Sequence, residues 1–157
     1  MTDGARRTDP AAHVRTLARF LDEAVPIPGT GVRVGLDAII GLVPGVGDVA
    51  GAALSGYVVL AAARLGTPPR VLLVMLFNVA VDAVIGSIPA IGDLFDVAWK
   101  ANMRNAALLD RHLAAPGATR AASGWTIAAV VGSMLLLVAG VVTLSVVLLR
   151  GLFALAR

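Results

Sequence analysis

Apolar residues recur along this chain at helical spacing, and the polar residues between them mark where each helix starts, turns and stops. Val14, Leu17, Ala18, Leu21, Ala24 and Val25 fall on one helical face, with His13, Arg15, Thr16, Arg19, Asp22 and Glu23 on the other. That pattern predicts an amphipathic helix suited to a membrane surface or to a partner helix, ended by Pro26-Ile27-Pro28-Gly29. Val32 to Val43 predicts a helical arm of about a dozen residues. At about 1.5 Å per residue it reaches roughly 18 Å, short of a hydrocarbon core of about 30 Å. Pro44-Gly45-Val46-Gly47 breaks the arm, and Asp48 opens a helix to about Leu65. After the connector Thr67-Pro68-Pro69, an apolar helix runs from Arg70 to Ile88, interrupted only by Asn78 and Asp82. A second Pro/Gly break follows, and Asp93 begins a helix to about Leu113. On that helix Asp96, Lys100, Arg104 and Arg111 make a polar stripe, and Phe95, Trp99, Met103 and Ala106 an apolar one. The 29 residues from Ala121 to Leu149 carry no charge and give the strongest transmembrane prediction in the chain.

Part of this pattern occurs twice. Asp37-Ala38-Ile39-Ile40-Gly41-Leu42-Val43-Pro44-Gly45-Val46-Gly47-Asp48-Val49 returns forty-five residues later as Asp82-Ala83-Val84-Ile85-Gly86-Ser87-Ile88-Pro89-Ala90-Ile91-Gly92-Asp93-Leu94. From Val34/Val79 to Asp48/Asp93, eight of fifteen paired positions are identical and only Leu42/Ser87 is not conservative. This agreement indicates an internal duplication. The prediction is therefore an amphipathic surface helix, two helical hairpins with Pro-x-x-Gly-Asp tips, and a terminal spanning helix. The tips either cross a bilayer or re-enter it, and the short first arm favours re-entry. Beyond the tip the copies diverge, since Gly51 and Ser55 correspond to Asp96 and Lys100.

Composition places these helices in lipid. The 157 residues suit one domain, and 58% are hydrophobic with mean hydropathy +0.87. Only 15% are charged, against about 25% in a soluble domain. We divide the chain into a disordered N-terminus at residues 1–10, an amphipathic helix plus duplicated hairpins at 11–115, and a C-terminal transmembrane helix at 121–150. With no cysteine, disulfides and thiolate chemistry are excluded. The net charge of +3 comes without a basic cluster interleaved with aromatics, which argues against nucleic acid. With the hairpin tips pointing one way, eleven of 13 basic residues gather on the opposite side, leaving Arg150 and Arg157 beyond the last helix. The positive-inside rule makes that side cytoplasmic, with the N-terminus there too.

The chemistry worth following lies in the duplicated acids. Asp37 and Asp82 precede the breaks; Asp48 and Asp93 follow them. A carboxylate at mid-bilayer costs about 2.5–3.5 kcal/mol on insertion scales and calls for a compensating role. Pro44 and Pro89 cannot donate to the carbonyls of Ile40 and Ile85, so each break frees an acceptor oxygen. Those oxygens and the carboxylates, shaped by the breaks at Pro44, Gly47, Pro89 and Gly92, suit a monovalent or divalent cation or a proton relay. Against this, Asp48 and Asp93 sit where helix N-caps belong. Asp37 has Arg33 one turn away, and Asp82 has Asn78. Small residues four apart, at Gly47, Gly51 and Ser55 and at Gly124, Ala128 and Gly132, support close packing or self-association. Trp99 and Trp125 fit an interfacial belt. His13 and His112 stand apart, no metal-ligand spacing or nucleophile–base pair occurs, and no cofactor or catalytic role is predicted.

The run Leu21-Asp22 … Ile27-Pro28-Gly29, Val34-Gly35-Leu36-Asp37-Ala38 … Gly41-Leu42-Val43-Pro44-Gly45-Val46-Gly47-Asp48, then Asp93-Leu94-Phe95-Asp96 … Lys100-Ala101-Asn102, resembles small prokaryotic membrane proteins grouped as domain of unknown function 4112. The resemblance covers roughly residues 14–115 and implies no activity. The expectation is an all-α, multi-pass protein of a prokaryotic inner membrane, forming homo-oligomers in the lipid bilayer. Its leading functional reading is a small cation or proton channel or transporter using Asp37 and Asp82. The alternative is a non-transporting membrane scaffold or partner-binding protein in which the acids only cap and pair.

Overall fold

The computed structural model describes residues 9, 11–41, 46–88, 95, 98–114 and 123–155. The first helix, α1 (Ala12–Glu23), follows a turn made by Asp9: its carboxylate accepts the Ala11 N–H at 3.0 Å and its carbonyl accepts that of Ala12. Its apolar face is the predicted one, and Val14, Ala18 and Leu21 are buried against the protein's own helices. Of the two environments expected for this helix, a partner helix is the one it has.

The chain then turns through a small ribbon. Val25–Pro26 (β1) pairs antiparallel with Arg33–Val34 (β2), Val25 opposite Val34. Gly29 and Gly31 take φ of 82° and 68° in the intervening turn, which other residues adopt at a cost. The predicted arm from Val32 to Val43 is thus corrected at its start; among the described residues it is helical over α2 (Leu36–Gly41). Arg33 is drawn into the ribbon instead, its Nε donating to the Glu23 carbonyl at 3.0 Å.

Helix α3 (Val46–Arg64) closes with a Schellman turn: the Thr67 N–H reaches the Ala62 carbonyl and the Gly66 N–H that of Ala63, with Gly66 at φ 81°. Pro69 occupies the first turn of α4 (Pro69–Gly86), where its missing N–H is not needed. These two helices form an antiparallel hairpin. The expected helix from Asp93 to Leu113 is corrected as well. Phe95, Ala98 and Trp99 are helical, but Lys100 sits at φ 50° and starts a new helix, α5 (Ala101–Leu113). The last helix, α6 (Gly124–Leu155), has 32 residues and is about 48 Å long at 1.5 Å per residue.

The helices stack in three layers. The α3–α4 hairpin lies in the middle, α1 and α5 cover one face, and α6 covers the other. One core runs through all three, from Val14 and Leu21 through Val58, Val59, Met75 and Val79 to Leu109 and Val130. The fold is all-α apart from the ribbon. Among the described residues two segments, Pro69–Gly86 and Gly124–Gly151, are long and apolar enough to cross a membrane.

Candidate functional site

The α1–α5 face is held by polar groups inside the core. Asp22, at the end of α1, is buried with 4% exposure. It accepts the Asn102 amide Nδ2 at 2.7 Å and the Met103 backbone N–H at 2.8 Å. Met103 is the third residue of α5, and Lys100 at that helix's own cap position offers no side-chain bond. Asp22 therefore caps α5 from another helix, placing negative charge at the positive end of the dipole. The break at Lys100 has its reason here. Turning the chain aims the first N–H groups of α5 at Asp22 and sends Lys100 Nζ to Glu23 Oε1 at 2.7 Å.

A second pair lies one turn further along α5. Asn78 Nδ2 of α4 donates to Asn105 Oδ1 at 2.8 Å, and Asn105 Nδ2 donates to the Met75 carbonyl at 3.1 Å. Trp99 Nε1 closes the set by donating to the Asn78 carbonyl at 3.2 Å. The Trp99 ring stacks on Phe95 and carries the Arg104 guanidinium 4.0 Å from its centroid. The Trp99 ring is half-buried, whereas Trp125, near the start of α6, is 83% exposed. Asn102 and Asn105 are fully buried, so the predicted Phe95/Trp99/Met103/Ala106 stripe gives way to a buried face of Ala101, Asn102, Asn105, Ala106 and Leu109. Among the described residues Asn102 Oδ1 has no hydrogen-bond partner.

Charges ring the network. Arg15 bridges Asp9 and, at 2.6 Å, Asp110 of α5. The Lys100 hydrogen bond, opposed by burial, holds the Glu23 carboxyl below its ordinary range; Arg33 and Arg19 add to the effect. Asp9 is lowered by the Ala11 N–H and then by Arg15, and Arg15 is raised by its two acids.

Of the four acids singled out in the sequence, Asp82 alone has its side chain among the described residues. Asp82 is half-buried on α4 and already engaged in an interaction. Asn78, offered as its partner, gives its amide to Asn105. The Ile85 carbonyl, which Pro89 cannot serve, accepts the Ile88 N–H at 3.0 Å instead, so the expectation of a freed acceptor there is corrected. Ile40 lies half-buried on α2. Asp37 is on α2, and Gly47 and Asp48 lie in the first turn of α3, with side chains outside the described residues. Pro44, Pro89, Gly92 and Asp93 lie outside the described residues altogether. Among the described residues no group of three or more His, Asp or Glu is placed to hold a metal.

The sequence pattern puts Asp22 on the polar face of its helix and gives Asn102 and Asn105 no role. The available signal was that all three asparagines of the chain, Asn78, Asn102 and Asn105, fall in helices of a strongly apolar protein.

The opposite face is apolar. Two grooves flank α6: one of about 240 Å³ against α4, between Leu72, Leu73 and Leu76 and Trp125, Ala129 and Val130. The other, of about 290 Å³ against α3, runs past Gly56, Tyr57 and Leu60 to Met134 and Val138.

A family model described as Domain of unknown function (DUF4112) matches residues 11–113, from the residue before α1 to the last residue of α5. No curated protein and no solved structure matches the chain.

Proposed function

The chain belongs to this family of unknown function, and from that premise we propose that it is a non-transporting integral membrane protein, a helical scaffold that offers its α1–α5 face to a partner. The observation that carries this reading is the asymmetry of the two faces. On the α4–α6 side the exposed positions are large and apolar, with Leu73 at 65%, Phe77 at 63% and Leu136 at 77%. On the α1–α5 side the exposed positions include Arg19, Arg104 and Arg111. Lipid suits the first surface and water the second.

In this reading α6 and α4 are the membrane spans, making the protein multi-pass, and the duplicated Pro-x-x-Gly-Asp motifs end its two hairpins. The basic α1–α5 layer, with the N-terminus, faces the cytoplasm of a prokaryotic cell at the inner membrane. The buried acids and amides act as fasteners, since Asp22, Asn78, Asn102 and Asn105 bind one another and the backbone. The two grooves beside α6 have apolar walls, which suit acyl chains better than ions.

The natural absence of cysteine makes the test direct. Single cysteines at Arg19, Arg111, Phe77 and Leu136 are treated in intact vesicles with a membrane-impermeant maleimide, with the cytoplasmic side made accessible. Labelling is expected at Arg19→Cys and Arg111→Cys, and absence of labelling at Phe77→Cys and Leu136→Cys. Equal labelling at all four sites overturns the membrane reading. In proteoliposomes, flux of Na⁺, K⁺, Mg²⁺ or H⁺ that disappears in Asp37→Asn or Asp82→Asn overturns the scaffold reading in favour of transport.

A further inference from the structure

We propose that the groove between α4 and α6 holds one acyl chain of an anionic phospholipid, with its phosphate on the arginines of the α3–α4 turn; this rests on the lipid-facing reading of that side. The groove starts at the end of the molecule where α3 ends and α4 begins, because its α4 wall is Pro69, Leu72, Leu73 and Leu76. Its α6 wall is Trp125, Thr126, Ala129, Val130 and Ser133, again from the start of the helix. Both walls come from the first turns of their helices, which gives the groove a mouth at that end.

The mouth has the chemistry of a head-group level. Arg64 and Arg70 flank the turn, both are exposed, and neither makes a hydrogen bond or ion pair among the described residues. Arg70 follows the lining residue Pro69 directly and lies one turn or less from Leu73 at 3.6 residues per turn. Thr126 adds a hydroxyl, and the Trp125 indole stands at the rim with 83% of its surface open. An exposed indole beside basic residues marks the interface between head groups and hydrocarbon. Below the mouth the walls become aliphatic. The volume of about 240 Å³ lies just under the roughly 300–1,000 Å³ of pockets for drug-sized molecules, so one slender chain fits better than a ring system. The unpaired positive charges at the rim select an anionic head group over a zwitterionic one.

Trp125 supplies the readout. The full chain is reconstituted in vesicles containing small fractions of brominated phosphatidylglycerol or brominated phosphatidylcholine, and tryptophan quenching is followed. The Trp125→Phe variant is used to subtract Trp99. We expect Trp125 to be quenched by both lipids, at about fivefold lower mole fraction for phosphatidylglycerol. Arg70→Gln should bring the two lipids to near parity, and Arg64→Gln should narrow the gap. Ala129→Phe, which fills the groove from an exposed position, should weaken quenching by both. Equal quenching by the two lipids, unchanged in Arg70→Gln, overturns the anionic site while leaving the lipid-facing surface standing. Absence of quenching by either lipid overturns both. Quenching that falls as the protein-to-lipid ratio rises assigns the groove to a second copy of the chain and overturns the lipid site.

Discussion

The two faces of the α3–α4 hairpin are covered in physically different ways. On one, α1 and α5 are fastened by directional bonds that demand a particular register: Asp22 to Asn102 and Met103, Asn105 to Asn78 and Met75. A slip of one residue would strand buried donors, and each stranded group costs about 1–3 kcal/mol. On the other face, α6 is held by shape. Gly56 of α3 leaves the room that the end of the Met134 side chain of α6 fills, where a Cβ would collide with the sulfur. Apolar grooves remain on both sides of the contact. On the proposed membrane reading no hydrophobic drive joins these helices, and close packing would carry the attachment. The family match covers the fastened part and stops before α6. The polar face therefore specifies the fold, and the apolar face tolerates adjustment.

The largest expected effect comes from cutting the polar fastening. Asp22→Ala removes the cap of α5 and leaves the Asn102 amide and the Met103 N–H buried without an acceptor. It should lower stability by about 2–4 kcal/mol in a detergent unfolding titration. Hydrogen exchange should rise in α1 and α5 and change little in α6. Asp22→Asn, which keeps one acceptor oxygen, should lose about half as much. An Asp22→Ala protein within about 0.5 kcal/mol of wild type would show that the network is incidental.

Breaking the apolar face should matter less and elsewhere. Gly56→Leu forces a side chain into the space of Met134 and should cost about 1–3 kcal/mol, the usual range for overpacking. Here exchange should rise along α6 and the facing part of α3 while α1 and α5 stay protected. Because Met134 is the obstacle, Met134→Ala in the same chain should recover much of the loss. If Gly56→Leu instead loosens α1 and α5, the two faces are one cooperative unit and the contrast between them fails.

The same contrast explains what could be read from the residues alone. The helical segments were legible because packing follows apolar periodicity: α3 and α4 occur close to their expected limits, whereas α6 runs past Arg150, expected beyond it, to Leu155. What escaped was decided by groups distant in sequence. Lys100 sits in an unbroken helical pattern, and its φ of 50° makes sense only once Glu23 and Asp22, some eighty residues earlier, are beside it. The arm after Val32 looked helical until the pairing of Val25 with Val34 claimed it. The duplication drew attention to four aspartates, whereas the buried fastenings use Asp22 and three asparagines that no repeat marks.

The smallest effect sharpens the comparison by testing the rim of the polar face through pH. Glu23 is held below the ordinary glutamate range, first by the Lys100 hydrogen bond and further by the Lys100, Arg33 and Arg19 charges. A lowered carboxylate stabilises the fold fully above its unfolded pKa, near 4.3–4.5, and loses that contribution as pH falls through the lower folded value. The pair is partly exposed, with side-chain exposures of 29% for Lys100 and 26% for Glu23, so its worth is that of a screened surface pair, about 0.2–1 kcal/mol. Wild type should therefore exceed Glu23→Gln by that amount at pH 7, and the gap should close between about pH 5 and pH 3. Asp9 also loses its charge in acid, but it does so in both proteins and cancels in the difference. Raising ionic strength at pH 7 should narrow the same gap, whereas the loss in Asp22→Ala, set in the dry interior, should persist. A gap that widens in acid would mean that Glu23 is strained rather than stabilised by its position, and that the rim opposes the fastening it surrounds.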